Sequence, residues 1–100
     1  MRVLIRGAGD IATGIALRLY RARFQVVMTD LPRPTAIRRT VCFSQAIVHG
    51  ETEVEGVRAI CAADADAAEE IMARGDIPVL ADPECACRVA LRPDALVDAI

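Results

Sequence analysis

Three consecutive apolar residues that run straight into a glycine turn constrain this chain more than any other feature. Val3-Leu4-Ile5, flanked by Arg2 and Arg6, meets Gly7-Ala8-Gly9-Asp10-Ile11-Ala12, and Ile15 and Leu19 then follow Ile11 at every fourth position. An unbroken apolar run reads as a strand buried on both faces, and the later recurrence as an amphipathic helix. The spacing predicts a strand over Arg2–Arg6 and a helix from Asp10, its N-cap, to about Arg23. A second strand follows over Phe24–Asp30, stopped by Pro32 and Pro34. A β-α-β unit with so short a crossover is parallel and right-handed.

Further along, Thr40–Val48 reads as another strand, and Thr52–Cys61 as a β-branched stretch folded into a hairpin at Glu55-Gly56. Asp64–Arg74 is alanine-rich, acidic at its start and stopped by Gly75, so it carries both ends of a helix. Ile77–Ala81 is a buried strand, Pro83–Leu91 a short helix and Ala95–Ile100 a last strand. This alternation gives an α/β fold: a Rossmann-like, doubly wound, mostly parallel sheet in a single small domain over residues 1–100. The apolar share is 54% and the aromatic share 3%, so the core is expected to be Ala, Val, Ile and Leu, which suits such a sheet. The sequence stops within an apolar strand, and the expectation is that it forms the N-terminal part of a longer architecture.

All the basic side chains except His49 are arginine, and without a lysine neither a P-loop nor a Schiff base can be built. A net charge of −2 and few aromatic rings argue against a nucleic-acid surface, since Arg33, Arg38 and Arg39 make only a local patch. Arg2 and Arg6 interrupt any signal-peptide core, and no run approaches the roughly 18 apolar residues of a membrane span. A cytoplasmic location is expected, with Cys42, Cys61, Cys85 and Cys87 as reduced thiols.

Gly7 to Ala12 matches G-x-G-x-x-A between a strand and a helix. Gly7 permits the tight turn, Gly9 admits a phosphate close to the backbone, and Ala12 lets the helix lie against the sheet. The opening N–H groups of the helix, through Asp10 and Ile11, then face an anion. Asp30 stands some twenty residues on, where an acidic side chain meets a ribose, and Arg33 just beyond could pair with a 2′-phosphate. The candidate ligand-binding residues are therefore Gly7, Gly9, Asp10, Ile11, Ala12, Asp30 and Arg33. Asp10 is the discordant member, because its carboxylate repels a phosphate and competes for the same N–H groups. Three readings stay open: a phosphate site, a turn satisfied by its own cap, and a metal bridging Asp10 to a phosphate. No catalytic residue and no metal site is assigned.

Other residues carry weaker signals. Cys85-Ala86-Cys87 could carry sulfur or selenium or bind a soft metal, although i and i+2 do not share a helix face. Cys42 and Cys61 read as small core residues and His49 as a surface-loop residue without an acid/base partner. Asp82, after a strand, serves either a ligand or as the cap of the next helix. Ser44 has no nucleophile-elbow context.

Two stretches resemble the YqeB-type accessory proteins of selenium-dependent molybdenum hydroxylases, a family related to the xanthine dehydrogenase accessory proteins. They are Leu4-Ile5-Arg6-Gly7-Ala8-Gly9-Asp10-Ile11-Ala12-Thr13-Gly14 and Met28-Thr29-Asp30-Leu31-Pro32-Arg33-Pro34-Thr35-Ala36-Ile37-Arg38-Arg39-Thr40. Pro78-Val79-Leu80-Ala81-Asp82-Pro83 and Leu91–Ile100 resemble it as well, whereas Cys85 and Cys87 match no motif of that family. The resemblance implies an accessory role in maturing a molybdenum hydroxylase, with a molybdopterin-type cofactor or its nucleotide form as ligand. Its implied partners are the hydroxylase apoprotein or other maturation factors. Two alternatives come from the residues themselves: the NAD(P)-binding half of an oxidoreductase, and a structural module that forms a homo-oligomer through an exposed sheet edge.

Overall fold

The computed structural model describes residues 1–30, 43–82 and 84–99, together with the backbone but not the side chain of Asp10. Ten elements follow one another: β1 (Arg2–Arg6), α1 (Asp10–Arg21), β2 (Gln25–Asp30), α2 (Gln45–His49), β3 (Glu51–Val54), β4 (Val57–Ala62), α3 (Ala65–Ala73), β5 (Ile77–Ala81), α4 (Arg88–Leu91) and β6 (Ala95–Asp98). They build a six-stranded sheet in the order β3-β4-β5-β2-β1-β6, parallel throughout except where β3 meets β4. The fold is thus α/β and Rossmann-like, as the alternation of elements predicts.

The central strands are apolar throughout because both faces of the sheet are covered. Val3 and Ile5 of β1, Val26 and Met28 of β2, and Ile77 and Val79 of β5 pack with Ala12, Ala16 and Leu17 of α1 and with Phe43 and Ala46. Leu4, Val27 and Leu80 point the other way, into a second core with Ala68, Ile71 and Met72 of α3, Cys85 and Leu91. Each face follows from the period-2 alternation of strand side chains. Burying one such Val, Leu or Ile contributes about 1.5–3 kcal/mol, which lets a core with few rings hold the sheet.

Handedness then arranges the connections. Passing from β1 to β2 and on to the β3-β4 hairpin, the chain moves toward one edge with α1 and α2 on the first face. From β4 to β5 and from β5 to β6 it moves back, with α3 and α4 on the second. A single crossover hand requires opposite faces for opposite directions. The neighbours whose outgoing chains part to opposite faces are β2 and β5, and their carboxyl ends meet with Asp30 opposite Ala81. The topological switch point therefore lies one strand away from the glycine turn.

Several boundaries differ from the sequence expectation. The N-cap of α1 is Gly9, not Asp10: Gly9 is extended (φ −77, ψ −161) and its carbonyl accepts the first helical bond from Thr13 N–H at 2.8 Å, while Asp10 is already helical. The expected strand over Thr40–Val48 is instead helix α2 within its described residues. Ser44 N–H donates to Ala8 O (2.8 Å), which fixes the entry, and Gly50 at φ 89 closes the helix onto Ala46 O. His49 is exposed, as expected, but ends that helix. The helix expected over Pro83–Leu91 shrinks to Arg88–Leu91, because Cys85 at φ 55 turns the chain first. Glu55 and Gly56, both at positive φ, form the expected hairpin turn.

Candidate functional site

The glycine turn sits at the carboxyl end of β1 and is braced from beneath. Gly7, at φ 113, donates its N–H to Thr29 O of β2 at 2.6 Å. Ala8 is fully buried; its carbonyl accepts from Ser44 N–H at 2.8 Å and from Thr13 Oγ1 at 3.3 Å, and Phe43 N–H donates to that same Thr13 oxygen at 3.0 Å. These bonds engage the Gly7 N–H and the Ala8 carbonyl. The N–H groups of Gly9, Ile11 and Ala12 find no acceptor among the described residues, as the unpaired start of a 12-residue helix requires. Ala12 is buried against the strands, whereas Ile11 is 76% exposed at the mouth of the turn.

Beside the turn the other strand ends bring carboxylates. Asp30 closes β2 and is half-buried, and Asp82 follows β5 directly. Arg33 lies outside the described residues, as do Cys42 and the side chain of Asp10. Asp82 acts as a cap, accepting from Ala86 N–H (3.1 Å) and Cys87 N–H (2.8 Å), although the segment it caps is a turn rather than the helix expected from Pro83. Burial alone would raise its carboxyl, but those N–H groups, the Cys87 thiol and Arg88 outweigh it and hold the group below its ordinary value. Asp82 is consequently an anion at neutral pH.

The two neighbouring thiols are held protonated or hidden. Burial, the hydrogen bond to Asp82 and the charges of Asp82 and Cys85 push Cys87 up to about 12, which leaves no thiolate at neutral pH. Cys85 is 3% exposed, with its sulfur 3.3 Å from the buried Thr29 hydroxyl. A reactive pair at Cys85 and Cys87 is thereby disfavoured, since thiol nucleophiles need thiolate character and access.

A cavity of about 500 Å³ opens between the carboxyl ends of β4 and β5, lined by Cys61, Asp64, Leu80, Asp82, Cys87 and a set of alanines. Asp64 caps α3, its Oδ1 accepting from Ala67 N–H at 2.8 Å. Cys61, expected in the core, is half-buried on this wall. Sequence reasoning did not single out Asp64 or this cavity. The available signal was an aspartate at or just after the end of each of three parallel strands, Asp30, Asp64 and Asp82. Among the described residues no group of three or more His, Cys, Asp or Glu could hold a metal ion, and no helix is long and apolar enough to cross a membrane.

The chain is similar to the uncharacterized protein YqeB of Escherichia coli (strain K12), with 52% identity over 98 residues that cover 98% of this chain and 18% of that protein. The chain thus spans less than a fifth of the length of the curated relative it matches. No family model matches the chain, and no solved structure does.

Proposed function

We propose, from the family resemblance of the sequence and from the geometry of the turn, that this chain is a non-redox accessory domain holding a phosphorylated cofactor during maturation of a selenium-dependent molybdenum hydroxylase. The ligand is a molybdopterin-type cofactor or its nucleotide form, with its phosphate on the first N–H groups of α1. The observation that supports this reading is the set of N–H groups at Gly9, Ile11 and Ala12 without acceptors among the described residues, above a turn whose Gly7 N–H and Ala8 carbonyl are already paired. An anion there completes the helix terminus and meets the positive end of the macrodipole, worth about 0.3–2 kcal/mol beyond the hydrogen bonds themselves. Asp30 and Arg33 are assigned to the ribose or pterin portion. Partners are the hydroxylase apoprotein or other maturation factors.

Nicotinamide binding is the second reading, favoured by Asp30 at the end of β2. The strand order weighs against it: in dinucleotide-binding sheets the glycine turn itself borders the switch point, whereas here β2 and β5 do. Titration calorimetry with molybdopterin, its cytosine dinucleotide, NAD and NADP separates the two. Binding by the pterin ligands alone is expected, binding by NAD(P) alone supports the second reading, and silence from all four removes the site. Gly9 has backbone angles open to any L-residue, so Gly9→Ala should keep the fold. An added Cβ would crowd a phosphate approaching this backbone, and affinity should fall roughly tenfold or more.

A further inference from the structure

We infer that the cavity at the carboxyl ends of β4 and β5 receives the planar nitrogen heterocycle of the ligand anchored at the glycine turn, with the ring's N–H edge directed at Asp64 and Asp82. The inference rests on the phosphate reading above and specifies the other half of the same ligand.

The volume of about 500 Å³ lies within the roughly 300–1,000 Å³ typical of small-molecule sites. Half of its lining residues are alanines, whose short side chains leave the volume open. The polar side chains of the lining are two aspartates, which accept, and two thiols, with no arginine or histidine among them. A phosphate is disfavoured there, because two carboxylates line the cavity and Arg88, whose charge acts on Asp82, is not among the lining residues. A ring bearing N–H and exocyclic amino donors can settle there, since each carboxylate oxygen accepts more than one hydrogen bond. Asp64 Oδ1 serves Ala67 N–H, and its Oδ2 has no partner among the described residues. Both Asp82 oxygens are fixed by Ala86 and Cys87, which aims the carboxylate without exhausting it.

Position supports the same assignment. The cavity adjoins the crevice between β2 and β5, where an open α/β sheet collects ligands. The strand carrying the turn, β1, is separated from β5 by β2 alone and the cavity lies just beyond β5, so the two half-sites are about 12 Å apart across the sheet at the usual strand spacing. A phosphate, a short sugar or side chain and a ring bridge that distance. Guanine and pterins share the required donor edge; adenine has an unprotonated nitrogen where guanine has N–H.

The test is an amide chemical-shift titration of the intact chain with guanosine 5′-monophosphate, neopterin phosphate, adenosine 5′-monophosphate and ribose 5-phosphate. Guanosine monophosphate or neopterin phosphate should move the signals of Gly9 and Ile11 together with those of Ala63 and Ala86. Whichever of the two binds more tightly identifies the ring as nucleobase or pterin. Ribose 5-phosphate should move only Gly9 and Ile11, and the adenine nucleotide should bind at least tenfold more weakly than guanosine monophosphate. In Ala86→Phe, made at an exposed position, the ring-bearing ligands should behave like ribose 5-phosphate. If in the parent chain the ring-bearing ligands move Gly9 and Ile11 but leave Ala63 and Ala86 unchanged, this inference fails while the phosphate reading stands. If none of the ligands moves Gly9 or Ile11, both fall.

Discussion

At the scale of single residues, Asp82 and Cys87 form a coupled pair in which one group's gain is the other's constraint. The carboxylate stays charged because it collects two N–H bonds and a thiol, and the thiol stays neutral because burial and that carboxylate oppose its ionisation. In Asp82→Asn the negative charge goes while burial remains, so the alkylation profile of Cys87, followed by mass spectrometry, should move to lower pH than in the parent. An unchanged profile would mean that burial alone controls the thiol. The linkage has a definite sign. The folded value of Cys87 lies above its ordinary 9.0, so the stability it contributes is complete below that pH and is lost as pH rises toward about 12. The Asp82 value is depressed, so its contribution is present at neutral pH and disappears on acidification.

At the scale of elements, two glycines separate what a helix tolerates from what a hairpin demands. Gly14 lies inside α1 with nothing within 4 Å of an added Cβ, so Gly14→Ala should stabilise the fold by about 0.5–1 kcal/mol, read from the urea midpoint. Gly56 has equal space around it but sits at φ +82 in the turn between β3 and β4; Gly56→Ala should destabilise by about 1 kcal/mol or more. The same logic explains which elements were legible in the sequence. β1, α1, β2, the hairpin, α3 and β5 carry strong periodicity or punctuation of their own, and each lies within a few residues of its expected place. Helix α2 was not legible, because Phe43, Ala46 and Ile47 are apolar in an order that suits either period. What makes the segment helical is tertiary: Ser44 N–H binding Ala8 O across the glycine turn. The N-cap was misplaced by one residue because Asp10 has the better capping side chain, yet Gly9 holds the extended backbone.

At the scale of the whole molecule, the alternation of elements announces a doubly wound sheet but not its strand order, since pairing of β2 with β5 depends on contacts between residues far apart in sequence. This is why the glycine turn was readable and the cavity beside β4 was not: the former is local, and the latter exists only once β4 lies against β5. The arrangement has a thermodynamic consequence. The turn is bonded to Thr29 of β2 and, through Ala8 and Thr13, to the entry of α2, while the cavity is walled by β4, β5 and the cap of α3. A ligand spanning both contacts elements on both faces of one sheet, and it loses its site when any of them unfolds. Binding should therefore stabilise the whole fold against unfolding rather than merely tighten a loop. At a free concentration of about 100 times Kd, linkage adds about 2.7 kcal/mol. For a chain of this size that corresponds to a rise in Tm of roughly 10–20 °C. Differential scanning calorimetry with increasing guanosine monophosphate or neopterin phosphate should show one transition moving upward. Two transitions, only one of them ligand-dependent, would mean that the turn and the cavity belong to separately folding parts and do not share a ligand.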